Sequence, residues 1–291
     1  MSKPSVGTKK RDFWWMCVVP LYLFTLAFIL GPMIYMVAVS FATNNPSGYG
    51  FQWIFTLENY LRIQDPTYLQ CFRQSFELAF STTALTILIG YPYGYYMGRL
   101  SPKGKKLMMF LVMVPFWTSS LIRLYGWLIL LQAKGVLNGL LQALGLIEDP
   151  IKMLYTYPAV LVGMVYALMP FMILAVYSSV EKMDWSLVEA ARDLGASPVK
   201  AFWTVTFPLT LPGLLSGVIL TFVPSMGLFF IADLLGGNKI VLVGSLIQDQ
   251  LTRGSNWPFA AALAVLLMAM MTLMIVVYRK VTHVSELEGR L

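Results

Sequence analysis

Charged residues are scarce in this chain of 291 residues. Asp, Glu, Lys and Arg together make up 12% of it, and apolar residues make up 58%. An average soluble domain contains roughly a quarter charged residues. With so few charges the chain cannot cover a large surface facing water, so the composition argues against a water-soluble fold.

Residues for metal, redox and nucleotide chemistry are also few. His283 is the single histidine, and the two cysteines, Cys17 and Cys71, are separated by most of the first predicted helix and the loop that follows. No Cys/His spacing suits a metal site, and the two cysteines are not expected to pair. The chain has no G-x-x-x-x-G-K-[S/T] phosphate loop, so ATP binding in the usual way is not expected. The sequence predicts no cofactor and no metal.

What the chain does contain is a series of long stretches without charge. Each is tested against the roughly 20 residues that a helix needs to cross the hydrocarbon core. The apolar run that ends at Phe41 far exceeds the core of a signal peptide, so it predicts a retained helix. Gly135 to Ile147 is too short to cross and predicts a short interfacial helix. The sequence therefore predicts an all-α membrane protein with six spans, at about 13–41, 76–98, 107–132, 154–180, 208–232 and 257–279.

The basic residues predict the orientation of these spans, because Lys and Arg accumulate on the cytoplasmic side of membrane proteins. The tail 1–12, the connections between spans two and three and between spans four and five, and the C-terminal tail hold 14 of the 21 basic residues. Both termini are therefore expected in the cytoplasm. Orientation accounts for the net charge of +7, so the basic excess does not indicate nucleic-acid binding. Membrane lipid is an expected partner of a chain with several spans.

The longest cytoplasmic connection, 181–207, contains start and stop signals for two short helices. Ser186 with Glu189 predicts a capping box, and Gly195 suits a left-handed helix end. Ser197 before Pro198 predicts a second helix start. That second helix is expected to run to the Phe207-Pro208 boundary. An amphipathic helix pair of this kind is suited to a groove on a partner protein.

This connection resembles the EAA signature of bacterial ABC importer permeases. The residues that carry the resemblance are Glu189, Ala190, Ala191 and Gly195, followed by Val-Thr-Phe-Pro at 205–208. The signature usually has Ile and Leu where this chain has Val and Phe. The resemblance implies a type I permease fold, with 1–291 as one permease domain and 181–207 as the loop that docks on a separate ATPase. The alternative for Glu189 is that it only completes the capping box.

Arg123 is the one charge well inside a predicted span. An arginine at mid-bilayer costs at least about 2.5–3.5 kcal/mol, so it needs a compensating interaction. Its position, about 24 Å along the helix from Leu107, predicts a place near the outer rim. A structural role, through snorkelling or through pairing with Glu77 or Asp233, is expected. Proline, glycine, aromatic and hydroxyl residues surround it over 115–127. They predict either a wall of a solute pathway or an aromatic belt.

The same stretch is similar to a segment in the permeases of spermidine/putrescine importers. It reads Pro-Phe-Trp-Thr-Ser-Ser-Leu-Ile-Arg-Leu-Tyr-Gly from Pro115 to Gly126. The similarity continues through 134–138, 168–171, 181–195 and 224–230, and it is greatest to the B-type membrane subunit. It implies location in the bacterial inner membrane. It also implies three kinds of partner: a second similar permease, a cytoplasmic ABC ATPase dimer and a periplasmic polyamine-binding protein.

Aromatic faces and carboxylates would suit a polycationic solute, since cation–π contacts contribute about 0.5–2 kcal/mol each. The candidate pathway or gate residues are Trp117, Glu77, Met226, Phe229, Phe230 and Asp233. Packing is the alternative for the two phenylalanines, and a helix end is the alternative for Asp233. Three other functions stay open. The first is an importer of another small organic cation. The second is an ion-coupled secondary transporter, which usually has ionisable groups at the midplane. The third is a membrane-embedded enzyme, which would need clustered catalytic groups.

Overall fold

The computed structural model describes residues 18–45, 50–237 and 239–288, with side chains described as far as residue 280. Most of the described residues are helical. The predicted tail 1–12 and Cys17 lie outside the described residues. Within them the helices, numbered in chain order, are α1 Val18–Ser40, α2 Glu58–Arg62, α3 Pro66–Arg99, α4 Pro102–Met113, α5 Ser120–Leu131, α6 Val136–Ala143, α7 Tyr157–Lys182, α8 Ser186–Asp193, α9 Pro198–Gly227, α10 Phe229–Gly236, α11 Val243–Thr252 and α12 Trp257–Glu288.

The prediction of an all-α membrane fold is confirmed, but the described residues contain five apolar candidate spans where six were predicted. Five described stretches are long and apolar enough to cross a membrane: Val18–Ser40, Ser120–Ala143, Tyr157–Lys182, Pro198–Gly227 and Trp257–Lys280. The predicted span 76–98 lies within α3 but is not among the five. Threonines, tyrosines and glycines replace many aliphatic residues there, and they lower its hydropathy.

The predicted third span, 107–132, is broken in the structure. Helix α4 ends at Met113, a 3₁₀ turn follows over Val114–Trp117, and α5 begins only at Ser120. Between them Thr118 is extended, with φ −104° and ψ 152°. Proline at the second position of the 3₁₀ turn has no N–H for a hydrogen bond to the preceding turn, which favours the break. The short helix expected after Gly135 is α6.

The described chain forms two compact units. One contains the residues up to Asp65 together with Ile247–Met268, and the other contains Pro66–Leu246 with the residues from Ala269 onwards. The first unit includes a two-stranded antiparallel ribbon, β1 Thr43–Asn44 and β2 Phe51–Gln52. Its buried polar anchor is Asn59, which donates hydrogen bonds to the carbonyl oxygens of Ser40 (3.0 Å) and Ala42 (2.9 Å). These bonds fix the turn that follows α1.

The core of the second unit is built on a stripe of glycines along α3. Gly90, Gly94 and Gly98 recur every four residues, so they share one face of the helix. That face lies against α7. A Cβ on Gly94 would lie 2.9 Å from the carbonyl oxygen of Ile173 and 3.1 Å from Cβ of Val176. Small residues at this spacing allow two helix backbones to approach closely, which is how many membrane helices associate.

A second pair of glycines brings α9 against the same central helix. Gly217 packs on Met172 of α7, where a Cβ would lie 2.6 Å from the sulfur atom, and Gly213 packs on Ser179. Met172 is fully buried, and it also contacts Gly90 of α3. Helix α7 is therefore held between two helices that both present glycine to it.

We predict that Gly94→Ala destabilises the folded protein, because the added methyl group must displace the α7 backbone and not a flexible side chain. Overpacking of this kind costs about 1–3 kcal/mol, which exceeds the roughly 1 kcal/mol gained when alanine replaces glycine in a helix. Gly126→Ala in α5 is the matched control, since no atom lies within 4 Å of a Cβ there. In thermal unfolding of the detergent-solubilised protein the midpoint should fall by a few degrees for Gly94→Ala only. Equal midpoints for the two variants would contradict the close approach.

Candidate coupling loop and solute pathway

The connection 181–207 after α7 forms a helical hairpin, as predicted, but its first helix is capped differently. Helix α8 begins at Ser186, and the carboxylate of Asp184 accepts a hydrogen bond from the Ser186 N–H at 3.0 Å. The predicted capping box of Ser186 and Glu189 is therefore wrong. Aspartate is a strong cap residue, and Asp184, two residues before Ser186, supplies the side-chain acceptor that the serine was expected to supply. Glu189 is left with an exposed carboxylate.

The bond to Ser186 also affects the charge of the cap. It lowers the pKa of Asp184 below its ordinary value, because the N–H stabilises the ionised carboxylate. A group with a lowered folded pKa stabilises the fold above its unfolded pKa, and this contribution is lost as the pH falls through the folded pKa. At neutral pH the cap is therefore ionised, and it faces the positive end of the α8 dipole.

The predicted left-handed end of the first helix is confirmed. Gly195 has φ +86°, its N–H donates to the carbonyl oxygen of Arg192 at 2.9 Å, and the N–H of Ala196 donates to that of Ala191 at 3.0 Å. This pair of bonds is a Schellman motif. No atom lies within 4 Å of a Cβ built on Gly195, so its backbone conformation is what requires glycine.

The second helix starts as predicted and ends elsewhere. The Ser197 hydroxyl accepts from the N–H of Lys200 at 3.3 Å, and Pro198 is the first helical residue. The predicted end at Phe207-Pro208 is wrong, because the helix continues to Gly227. A π-turn over Phe202–Thr206 precedes the proline. A π-turn shifts the hydrogen-bond register by one residue, so the missing N–H of proline is accommodated and α9 runs unbroken from the loop into the membrane.

The hairpin is anchored to the membrane helices by groups that the sequence analysis missed. The Arg99 guanidinium, at the end of α3, lies over the rings of Trp185 (5.2 Å) and Tyr95 (5.7 Å). Lys105 of α4 forms an ion pair of 3.4 Å with Glu181. Tyr95, Arg99, Lys105 and Trp185 border a cavity of about 520 Å³ that residues of the hairpin also line. The sequence signal was available, since Tyr95 and Arg99 are four residues apart on one helix face.

The outer side of the hairpin is apolar and exposed. Leu194 has 90% of its surface exposed, and Leu187, Val199 and Trp203 are also exposed. Of the residues of the signature, Glu189 and Ala190 are exposed and Ala191 is half-buried. An apolar patch that faces water at the base of a membrane protein is typical of a surface that another protein covers.

The structure separates the six candidate pathway residues. Trp117, in the 3₁₀ turn, is 74% exposed, and Glu77 is held by Arg73 at 2.7 Å. Met226 is fully buried. Phe229 and Phe230 contact each other edge to face at 6.4 Å, and Asp233 accepts a hydrogen bond from Ser245 at 2.9 Å. Of the six, Phe230 borders the cavity that Arg123 also borders.

That cavity lies beside the break in the third predicted span. Its volume is about 490 Å³, and it is lined by the 3₁₀ turn, the first turn of α5 and parts of α7, α9 and α10. Arg123 extends over the ring of Phe116. The predicted pairing of Arg123 with Glu77 or Asp233 is wrong, because Glu77 pairs with Arg73 and Asp233 bonds Ser245. Arg123 is instead compensated by aromatic faces.

These features define a polytopic membrane protein with a helical hairpin on one side and an aromatic cavity within its membrane part. A family model described as "binding-protein-dependent transport system inner membrane component" matches residues 90–284. The chain belongs to this family. It is thus the membrane-spanning permease subunit of an ABC transporter and not the ATPase. Membership places it in the inner membrane and implies work with a substrate-binding protein and an ATPase.

Individual relatives and structures agree with this assignment. The chain is 43% identical over 261 residues to the spermidine/putrescine transport system permease protein PotB of Haemophilus influenzae. The aligned region covers 90% of this chain and 91% of the relative. The chain is 41% identical to PotB of Escherichia coli, with coverages of 90% and 94%. The structure of a bacterial alginate ABC transporter has a chain that matches with a TM-score of 0.73 and 17% identity, over 92% of this chain and 93% of that one. The match to that structure shows the fold.

We predict that Asp184→Ala loosens helix α8, whereas Ser186→Ala does not, since Asp184 supplies the acceptor for the first N–H of the helix. Hydrogen exchange followed by mass spectrometry on the solubilised protein should show faster exchange at 187–194 for Asp184→Ala. Asp184→Asn should retain most of the protection, because asparagine is an equally good cap. Faster exchange in the Ser186 variant than in the Asp184 variant would contradict the Asp184 cap and support the capping box of Ser186 and Glu189.

Proposed function

We propose that this chain forms half of the translocation pathway of an ATP-driven importer for spermidine or putrescine. The observation that carries the proposal is the 41–43% identity, over nine-tenths of the chain, to permeases named for spermidine/putrescine transport. The aromatic cavity supports it, because ring faces attract cations without the need for a buried carboxylate. The second permease, the ATPase dimer and a periplasmic polyamine-binding protein are the proposed partners.

The hairpin 181–207 is the proposed docking element for the ATPase. Three observations support this role: the match to the EAA signature at Glu189, Ala190, Ala191 and Gly195, the exposed apolar side chains around Leu194, and the firm attachment to α3 through Arg99. A docking element must be rigid if it is to pass a displacement on to the membrane helices. The distribution of Lys and Arg supports a cytoplasmic position for this element and for both termini.

We predict that Gly195→Val weakens assembly with the ATPase, because a β-branched residue at φ +86° strains the turn. Gly145→Val is the matched control, since Gly145 also has a positive φ (+69°) and open space around its Cα but lies outside the hairpin. Co-purification with the ATPase should fall several-fold for Gly195→Val and stay near wild type for Gly145→Val. Gly195→Asn should recover part of it, because asparagine tolerates this conformation. Full assembly and transport by Gly195→Val would refute the docking role of the turn.

The proposed pathway residues are Trp117, Glu77, Met226, Phe229, Phe230 and Asp233. The structure gives each a different surrounding, so their contributions should differ. Trp117 and Asp233 are the two whose loss should reduce transport most: one offers an exposed aromatic face, and the other a half-buried carboxylate held by one hydrogen bond. Met226, which is fully buried, and Phe229 fit a gate better than a contact with solute.

We predict ATP-dependent uptake of a polyamine by the complete complex in liposomes, without competition from neutral sugars or sulfate. Trp117→Leu and Asp233→Asn should each lower uptake per assembled complex by about tenfold, the factor that corresponds to about 1.4 kcal/mol. Trp53→Leu and Asp249→Asn are the controls, because both replace exposed side chains outside the second unit.

The outcomes separate the cargo from the pathway. Competition by sugars or sulfate, or uptake of a different organic cation only, would move the proposal to another cargo. Polyamine uptake by the wild type, with unchanged uptake per complex in both the Trp117 and the Asp233 variants, would keep the cargo and remove these two residues from the pathway.

A further inference from the structure

Arg123 sits in a cage of two aromatic rings. Its guanidinium carbon lies 5.2 Å from the centroid of the Phe116 ring and 5.9 Å from that of Tyr166. Both distances are within the range of an energetically significant cation–π contact. The two rings come from different elements, the 3₁₀ turn before α5 and the middle of α7. The fold therefore assembles a cation site that is not evident from local sequence.

No carboxylate accounts for this arrangement within the described residues. The ion pairs of the described chain do not include Arg123, and its buried Nε has no hydrogen-bond partner there. A structural arginine at this depth usually pairs with an acid or with backbone carbonyls. Here the positive charge is held chiefly by ring faces, which attract cations through their quadrupole and do not require one particular geometry of donors.

The cavity around the cage has room and polar groups for a second occupant. Its volume of about 490 Å³ is within the range of small-molecule sites. Ser119 and Ser120 line it beside Arg123, both are exposed, and the Ser119 hydroxyl does not cap α5. A hydroxyl oxygen accepts a hydrogen bond from an ammonium group. Rings that attract a cation and hydroxyl acceptors beside them are the components of a primary-ammonium site.

We propose that the Phe116–Tyr166 cage is a binding subsite for one ammonium group of the transported cation, and that Arg123 occupies it as a tethered competitor. This inference rests on the proposed function and adds a site to it. The guanidinium fills the cage when no solute is present, and the solute's ammonium takes its place when the flexible arginine side chain moves aside. Arg123 lies in the first turn of α5 and is only half-buried, so a change of its side-chain rotamer is sufficient to vacate the cage.

A tethered competitor and a structural arginine have opposite consequences for affinity. If Arg123 only holds the fold, its removal lowers binding or leaves it unchanged. If it competes for the cage, its removal strengthens binding, because the cage becomes free and a like charge is removed from the neighbourhood of the cationic solute. The sign of the change in affinity therefore separates the two roles.

The test is direct binding of radiolabelled spermidine to the purified complete complex in lipid nanodiscs, without the binding protein. Arg123→Gln, which removes the charge and retains a polar chain, should bind about tenfold more tightly than wild type, the factor that corresponds to about 1.4 kcal/mol. Arg123→Lys should bind like wild type. Tyr166→Leu should weaken binding several-fold, and Tyr166→Phe should restore it. Phe80→Leu is the ring control, because Phe80 is exposed and does not line the cavity.

The results decide between the two proposals separately. Wild-type transport of spermidine with equal or weaker binding by Arg123→Gln overturns the competitor role while the proposed function stands. If Arg123→Gln does not assemble, the two Tyr166 variants decide, and unchanged affinity in Tyr166→Leu overturns the cage. Absence of spermidine binding and of spermidine uptake in the wild type and in every variant refutes the proposed function itself, and the subsite for that cargo with it.

Discussion

The close approach of α3 and α9 to α7 is the constraint on which the rest of the second unit depends. Gly90, Gly94 and Gly98 on one side, and Gly213 and Gly217 on the other, bring the backbones together where any side chain would separate them. In a membrane the lipid is as apolar as a leucine, so close packing and not hydrophobicity holds helices to each other. The end of α3 then lies beneath the loop that follows α7, and Arg99 is brought to Trp185.

Several buried threonines within the packed helices bond to their own backbone, whereas Thr82 has no hydrogen-bond partner among the described residues. Thr83, Thr210 and Thr221 donate to carbonyl oxygens four residues earlier in their own helices, at 2.8–2.9 Å. A threonine hydroxyl of this kind adds little free-energy cost to burial in a membrane, because its hydrogen-bond acceptor is in the same helix. Of the ion pairs of the described second unit, Lys105 with Glu181 joins the ends of two helices, and Arg73 with Glu77 lies on an exposed face of α3.

Helix α9 links the two places where the function is proposed to lie. It begins at Pro198 in the hairpin and continues for 30 residues to Gly227, a length of about 45 Å. Leu220 and Pro224, near its end, line the cavity that contains Arg123. Since a helix transmits displacement along its axis, a movement of the hairpin reaches the cavity through one continuous element.

Much of this protein was determined by the sequence alone, because membrane burial leaves a direct mark on composition. Long uncharged runs predict helices, and Gly195 and Ser197-Pro198 predict the turn and the second helix start, since these signals depend only on neighbouring residues. The tertiary structure alone decided what depends on residues far apart in the chain. It gave Arg123 the rings of Phe116 and Tyr166 in place of Glu77 or Asp233. Two local features also differ from the sequence prediction: Asp184 caps α8 in place of Ser186, and a π-turn joins α9 to its loop. The packing of helices determines which groups contact a buried charge. That packing depends on residues from several elements, so no local stretch of sequence predicts it.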